Sequence, residues 1–385
     1  MTDFTAHPLG ILCLIVFFAS YTAILFEDKL HLRKSKPIMF GAGLIWAIIG
    51  ILGVMQDIPG DVIHHAVSES LGEYGALFLF LLSAMTYINA LQDRNVFEVL
   101  RMRLLRAGLN LRQLFWVTGF MAFFLSPVAD NLTTALVIGA VAMAVGGNNK
   151  QFIVPACINI VCAANAGGAF SPFGDITTLM VWQAGKVDFF EFFALFVPCV
   201  INFIVPAFIM SLTVPREAPS VDAGDTHIKY GGKVIIALGI VTIIMAISFE
   251  QILHLPAYLG MMMGLSMLMM MAWHIRRQAD QKNESFVIFD QLAAVEWDTL
   301  LFFFGVMFSV SGLAFLGYLE FMSTHLYGGW GANITNIVLG MASAIIDNIP
   351  LMFAVLQMDP PMSHFEWMLI TLTTGVGGTL LSVGS

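Results

Sequence analysis

Three aspartates stand where an aspartate is costly. Of the 26 acidic residues in the chain, Asp130, Asp175 and Asp347 fall inside apolar stretches, and each sits where such a stretch is interrupted. A carboxylate in hydrocarbon is expensive, so it ordinarily faces a cavity and binds something. No Lys or Arg lies beside any of the three in the sequence, which leaves an ion or a proton as the expected partner. The neighbours suit a small hard cation. Asn131, Thr133, Thr134, Asn165, Ser171, Thr177, Thr178, Ser343, Asn348, Ser382 and Ser385 offer neutral oxygens. Gly167-Gly168 and Gly377-Gly378 allow unwound backbone carbonyls to approach closely. Carboxylate, amide and carbonyl oxygens match Na⁺ or Li⁺ far better than copper or zinc. The same carboxylate can take a proton, so one site can hold either species, the minimal machine for exchange. The alternative role for an Asp at a break is to cap the following half-helix, most of all for Asp175, just ahead of Ile176.

Glu73 and Glu296 begin apolar spans, where an acid suits a helix N-terminus or, alternatively, a vestibule relay. Met261-Met262-Met263 and Met269-Met270-Met271 lie in an uninterrupted span and read as lipid- or core-facing side chains rather than a copper site. His64 and His65 are expected in a solvated outer loop. Cys13, Cys157, Cys162 and Cys199 all lie in apolar segments without a CxxC pair, so neither a disulfide framework nor a thiolate metal site is indicated. Protease and nucleotide-binding motifs are absent, and no enzyme activity or cofactor is expected.

The elements that must position these residues are membrane helices. The 385 residues are 58% hydrophobic and only 11% charged, against about 25% charged in soluble domains. The net charge of −9 provides no basic surface for nucleic acid. Apolar stretches at 8–26, 38–56, 75–91, 189–214, 233–249, 256–275 and 298–319 are each long enough to cross a hydrocarbon core of roughly 30 Å. Period-two alternation is missing, so the spans are helices and not barrel strands.

Longer or broken stretches remain at 113–145, 151–185, 332–358 and 366–385. The first is too short for two crossings and is interrupted at Ser126-Pro127-Val128-Ala129-Asp130-Asn131. If it enters the membrane and returns, every Lys and Arg except Lys186 falls on the inner side, with the N-terminus outside. The sequence therefore predicts an all-α polytopic membrane protein of about nine spans plus two re-entrant hairpins, 113–145 and 332–358.

A weak internal repeat orders these parts. Glu73-Tyr-Gly-Ala-Leu77 matches Glu296-Trp-Asp-Thr-Leu300, and Ser126-x3-Asp130-Asn131 matches Ser343-x3-Asp347-Asn348. Asn165-Ala-Gly-Gly168 with Ser171-Pro-Phe-Gly-Asp175 matches Gly375-Val-Gly-Gly378 with Leu381-Ser-Val-Gly-Ser385. By the charge distribution 75–91 runs inward and 298–319 outward, so the halves are inverted, a signature of transporters built from interrupted helices. The organisation expected is N-terminal spans at 1–70, repeat 1 at 71–214, a linker with spans at 215–295 and repeat 2 at 296–385. The broken helix 366–385 looks incomplete beside 151–185, and the chain reads as truncated there.

Ser126–Thr134, Asn165–Thr178, Asp347-Asn-Ile-Pro350 and Gly377–Ser385 resemble the NhaD-type sodium/proton antiporters of the broad ion transporter superfamily. The resemblance covers most of the chain from about residue 70. It implies Na⁺ or Li⁺ moved out against protons across a bacterial inner membrane, two hairpins and two broken helices around the ion, and a homodimer. It points to Ser126, Asp130, Asn131, Asn165, Asp175, Thr177, Thr178, Ser343, Asp347, Asn348, Ser382 and Ser385 as ion-pathway residues. The cation ligands expected among them are Asp130, Asn131, Asp347 and Asn348. The rival expectation is a superfamily permease or symporter for arsenite or a dicarboxylate. Anions prefer half-helix N-termini without acids, which argues against a dicarboxylate and less clearly against neutral arsenite.

Overall fold

A computed structural model describes residues 3–147, 149–218, 226–279 and 286–380. Ser382 and Ser385, together with the expected second break after Leu380, lie outside the described residues. Among the described residues the chain is helical and has no strand. The protein is an all-α polytopic membrane protein, and among the described residues nine helices are long and apolar enough to cross a bilayer.

The N-terminal helices are α1 (Pro8–Leu25), the single turn α2 (Glu27–Leu30) and α3 (Ser35–Met55). Next comes α4 (Gly60–Asp93), then the arginine-bearing α5 (Val96–Arg106). A first hairpin follows, α6 (Leu111–Ala129) and α7 (Asn131–Gly146), and then α8 (Lys150–Gly168), a break, and α9 (Ile176–Gln183). A 3₁₀ turn at Phe189–Leu195 leads into α10 (Phe196–Ser211). The middle holds α11 (Gly232–Gln251), α12 (Ala257–Ala279) and α13 (Ile288–Ala293). The last part holds α14 (Trp297–Phe315), α15 (Tyr318–Trp330), a second hairpin of α16 (Ala332–Ala342) and α17 (Asn348–Met358), and α18 (His364–Gly377). Each arm of the second hairpin has 11 residues, about 16 Å of helix and half a hydrocarbon core.

Several boundaries differ from expectation. The stretch 57–74 is not a loop. With 34 residues, α4 is about 51 Å long and outruns a bilayer core. His64 and His65 therefore ride on its polar first turns, where His64 Nδ1 lies 3.4 Å from the Ser68 hydroxyl and His65 3.9 Å from Glu69. Glu73 falls in the helix interior rather than at a span's start, and it accepts from Gln357 Nε2 of α17 at 2.9 Å. Helix α15 occupies a segment that hydropathy leaves as loop. Glu296, by contrast, does precede its helix, at the N-cap of α14.

The first interruption is narrower than the sequence suggests. Helix α6 continues through Ser126, Pro127, Val128 and Ala129, and Asp130 alone separates it from α7. Pro127 lacks the N–H that would bind the carbonyl of Phe123 one turn back. That freed carbonyl faces Gly167 of α8 so closely that a Cβ there would sit 2.1 Å from it. The second hairpin makes the same contact without proline. The N–H of Ala344 goes to Met341 O rather than to Gly340 O, and a Cβ on Gly377 of α18 would sit 2.0 Å from Gly340 O. A serine fastens each joint. The Ser126 hydroxyl donates to Ala164 O at 2.6 Å, and the Ser343 hydroxyl to Thr374 O at 3.2 Å. Phe123, Ser126, Ala164 and Gly167 thus stand to one another as Gly340, Ser343, Thr374 and Gly377 do.

Candidate functional site

All three intramembrane aspartates sit at helix N-caps, where the freed N–H groups of the next half-helix need acceptors. Asp130, at φ +56°, caps α7. Its Oδ1 accepts from Thr133 N–H and its Oδ2 from the Thr133 hydroxyl, both at 2.8 Å. Positive φ is uncommon outside glycine, and Asp is among the residues that tolerate it best. Asp347 caps α17, with Oδ1 accepting from Ile349 N–H at 3.1 Å. Asp175 caps α9, with Oδ1 accepting from Thr177 N–H at 2.9 Å and the Thr177 hydroxyl at 3.1 Å.

Capping does not use up Asp175. Its second oxygen, Oδ2, accepts from the side-chain amides of Asn131 at 3.1 Å and Asn348 at 3.4 Å. Asn131 stands at the tip of the first hairpin and Asn348 at the tip of the second. One carboxylate oxygen, on a residue 4% exposed, therefore receives a donor from each hairpin. The Asn131 amide also donates to Asn165 Oδ1 of α8 at 2.9 Å. Gly375 of α18 completes the enclosure, since a Cβ there would lie 3.6 Å from Asp175 Oδ2 and 3.9 Å from the Thr177 hydroxyl. Both hairpin tips and both α8–α9 and α18 thus meet at Asp175.

The surrounding hydroxyls pin the break. The Ser171 hydroxyl donates to Pro127 O at 2.9 Å, and that of Thr178 reaches Ser171 O and Asp175 O at 2.8 and 2.6 Å. The Thr134 hydroxyl is fully buried on α7 and has no hydrogen-bond partner among the described residues.

A cavity of about 620 Å³ reaches this site. Asp130, Asn131, Thr133 and Asp175 line it, together with Glu296 at the N-cap of α14 and Thr299 of that helix. Phe97, Leu100 and Arg103 of α5 also line it. Its walls are mostly apolar.

The structure brings together Asp175, Asn131, Asn348, Asn165 and Thr177 from the sequence-selected set, with Ser126, Ser343 and Thr178 behind them as fasteners. Of the expected cation ligands Asp130, Asn131, Asp347 and Asn348, the two aspartates act as helix caps in this structure. Each of those two turns an oxygen to its own helix N-terminus, and the asparagines turn to Asp175 instead. Among the described residues there is no group of three or more His, Cys, Asp and Glu side chains able to hold a metal ion. The sequence shows no Lys or Arg beside the aspartates, and it gives no sign that Asp347 meets the N-terminal helices. Tyr21 of α1, whose hydroxyl accepts from Asp347 N–H at 3.2 Å, was not marked in the sequence. Nothing in the local pattern around Tyr21 signals this meeting, which spans 326 residues of chain.

Comparison with known proteins gives a consistent set of relatives. The citrate transporter family, CitMHS, matches residues 12–375. The Na⁺/H⁺ antiporter NhaD of Alkalimonas amylolytica is 49% identical across 100% of this chain and 84% of its own length. The Na⁺/H⁺ antiporter NhaD of Vibrio cholerae is 48% identical across 100% of this chain and 85% of its own. Sodium/proton antiporter 1 of Arabidopsis thaliana is 30% identical across 96% of this chain and 65% of its own.

Proposed function

The chain belongs to the NhaD family of Na⁺/H⁺ antiporters, within the wider citrate transporter family, and from that premise we propose how its residues exchange Na⁺ for H⁺. It is a multi-pass membrane protein that exchanges the two ions. We place it in a bacterial inner membrane, with the N-terminus outside and α5 on the cytoplasmic face.

The observation that carries the mechanism is the single oxygen of Asp175 addressed from both hairpin tips. The cavity is lined by α5 beside the aspartates, and with α5 on the cytoplasmic face we read this arrangement as inward-facing. A cytoplasmic Na⁺ or Li⁺ descends past Glu296 to Asp130 and Asp175. There the Asn131 and Asn348 amides, which now present N–H to the carboxylate, turn their carbonyl oxygens to the cation. Asn165 and the Thr177 hydroxyl supply further neutral oxygen. A proton replaces the cation when the site faces the periplasm. Either species neutralises the carboxylate, and the neutralised site is what can cross between the two access states, because an uncompensated buried charge is costly.

The recurrence of one joint in both hairpins supports reading 71–214 and 296–385 as inverted repeats, each with a re-entrant hairpin, around the residues 1–70 and 215–295. A carboxylate-bearing solute is disfavoured by this site. It would meet Asp175 and Asp130 in a cavity that offers it acids at the depth where it must bind.

The direct test is the pH change that Na⁺, Li⁺ and K⁺ each induce in inverted vesicles containing the protein. Na⁺ or Li⁺ should collapse an imposed proton gradient. No response to any cation would sink this reading.

A further inference from the structure

The two hairpin tips reach Asp175 with unequal support. On the first tip the Asn131 amide has two acceptors, Asp175 Oδ2 at 3.1 Å and Asn165 Oδ1 of α8 at 2.9 Å. On the second tip the Asn348 amide has one acceptor among the described residues, Asp175 Oδ2 at 3.4 Å. The repeat explains the difference. Gly167 and Gly377 occupy equivalent joints, and two residues before them stand Asn165 and Gly375 respectively. The residue that steadies Asn131 is therefore matched in the second half by one with no side chain.

The second tip is steadied from elsewhere. After α16 the N–H groups of Ala344, Ile345 and Ile346 turn back to Met341 O and Ala342 O. The next N–H, that of Asp347, leaves this turn and donates to the Tyr21 hydroxyl of α1 at 3.2 Å. Asp347 directly precedes Asn348, so this bond fixes the backbone from which the Asn348 amide projects. Tyr21 is itself held. Its half-buried ring lies 5.9 Å from that of Phe17, one turn back. Its neighbour Ser20 is pressed against α3 at Gly41, where a Cβ would lie 2.2 Å from Ser20 Oγ. Helix α3 in turn packs on α14. The anchor thus belongs to the N-terminal helices, outside the hairpins.

We propose that Tyr21 is a positioning residue for Na⁺ binding: its hydroxyl does for Asn348, through the Asp347 N–H, what the Asn165 side chain does for Asn131. A hydrogen bond to a packed ring limits the tip to the placements in which the Asn348 side chain meets Asp175. The arriving cation then finds the Asn348 oxygen close by and does not have to order the tip itself, which would weaken its binding. Tyr21 touches neither the cation nor the Asp175 carboxylate, and it acts through Asn348.

The inference rests on the Na⁺/H⁺ exchange reading above. Its test is the Na⁺ dependence of exchange in proteoliposomes at fixed pH for wild type, Tyr21→Phe, Asn348→Ala and the double variant. Tyr21→Phe keeps the ring beside Phe17 and deletes the acceptor. It should raise the KM for Na⁺ about fivefold, the scale of one hydrogen bond, with kcat within about twofold of wild type. In the Asn348→Ala background the same substitution should leave KM unchanged, because the side chain through which it acts is gone. A hydroxyl that only supports the fold would lower yield or kcat in both backgrounds and leave KM alone. An unchanged KM in Tyr21→Phe overturns the proposal, as does an equal rise with and without the Asn348 side chain. Should Asn348→Ala exchange no ions at all, amide hydrogen exchange decides. The peptide containing Asp347 and Asn348 should exchange severalfold faster in Tyr21→Phe than in wild type, and an unchanged rate overturns the proposal. A Tyr21→Phe protein that does not fold makes the hydroxyl structural and overturns it as well. A wild type that exchanges nothing sinks the exchange reading itself. A wild type that exchanges normally beside a Tyr21→Phe of unchanged KM sinks this inference alone.

Discussion

Asp175→Asn keeps the shape of the side chain and removes its charge, and the structure says what each change does. Four donors address the carboxylate: Thr177 N–H and hydroxyl on one oxygen, the Asn131 and Asn348 amides on the other. The new NH₂ is best placed toward Thr177. The Thr177 hydroxyl can turn to accept from it, so only the Thr177 N–H loses its acceptor. One orphaned buried donor costs about 1–3 kcal/mol, which a folded protein of this size survives. The remaining oxygen still holds both hairpin tips. The loss of charge is larger in effect. A cation about 4 Å from a unit charge at an effective dielectric of about 20 gains about 4 kcal/mol. At 1.36 kcal/mol per tenfold, that is about a thousandfold in cation affinity. The expected outcome is a monodisperse protein with a slightly lowered melting temperature and no measurable Na⁺- or Li⁺-driven proton movement in inverted vesicles. Asp175→Asn exchanging within about threefold of the wild-type rate would refute the reasoning and move the ion elsewhere.

Four further outcomes are expected. Gly167→Ala and Gly377→Ala press a methyl onto a backbone carbonyl and should each destabilise by at least about 1–3 kcal/mol, read as a fall in melting temperature. Gly139→Ala, with nothing within 4 Å of the new methyl, should leave the melt unchanged. Asn131→Ala and Asn348→Ala share one acceptor, so their effects on the Na⁺ KM should not add. A coupling of about 0.5–3 kcal/mol is expected from the double mutant, and strict additivity would separate the two tips. Leu132→Cys, in a background without the four native cysteines, lines the cavity. It should react with an impermeant maleimide in inverted vesicles and resist it in right-side-out ones.

The breaks were legible in the sequence because they violate the apolar pattern. An Asp, a Pro or a Gly-Gly in a membrane-length stretch is conspicuous, and Asp130, Asp175 and Asp347 all turn out to begin a half-helix. What each does there was less legible. Hydropathy does not distinguish a capping carboxylate from a shared acceptor, and Asp175 was the one whose capping role looked strongest. Its second oxygen acquires its role from Asn131 and Asn348, 44 and 173 residues away. The early start of α4 was hidden because Gly60–Glu73 is polar, and a helix running beyond the lipid gives no hydropathy signal. Lys34 was hidden for the opposite reason. It read as one more basic residue orienting the chain, and only the packing of α3 on α14 sets its ammonium over the Phe302 ring.

The glycine contacts of Gly167 and Gly377 have a mechanical consequence. Each removes all slack between a hairpin and its helix, backbone against backbone, so hairpin and helix must travel as one stiff block. A polar link between the blocks is of another kind: the Asn348 amide of one resting on the Asp175 oxygen that the Asn131 amide also holds. That link lies at the place where the cargo binds. A cation or proton arriving on that oxygen competes with both amides at once, so a single binding event loosens the seam between two blocks that cannot deform within themselves.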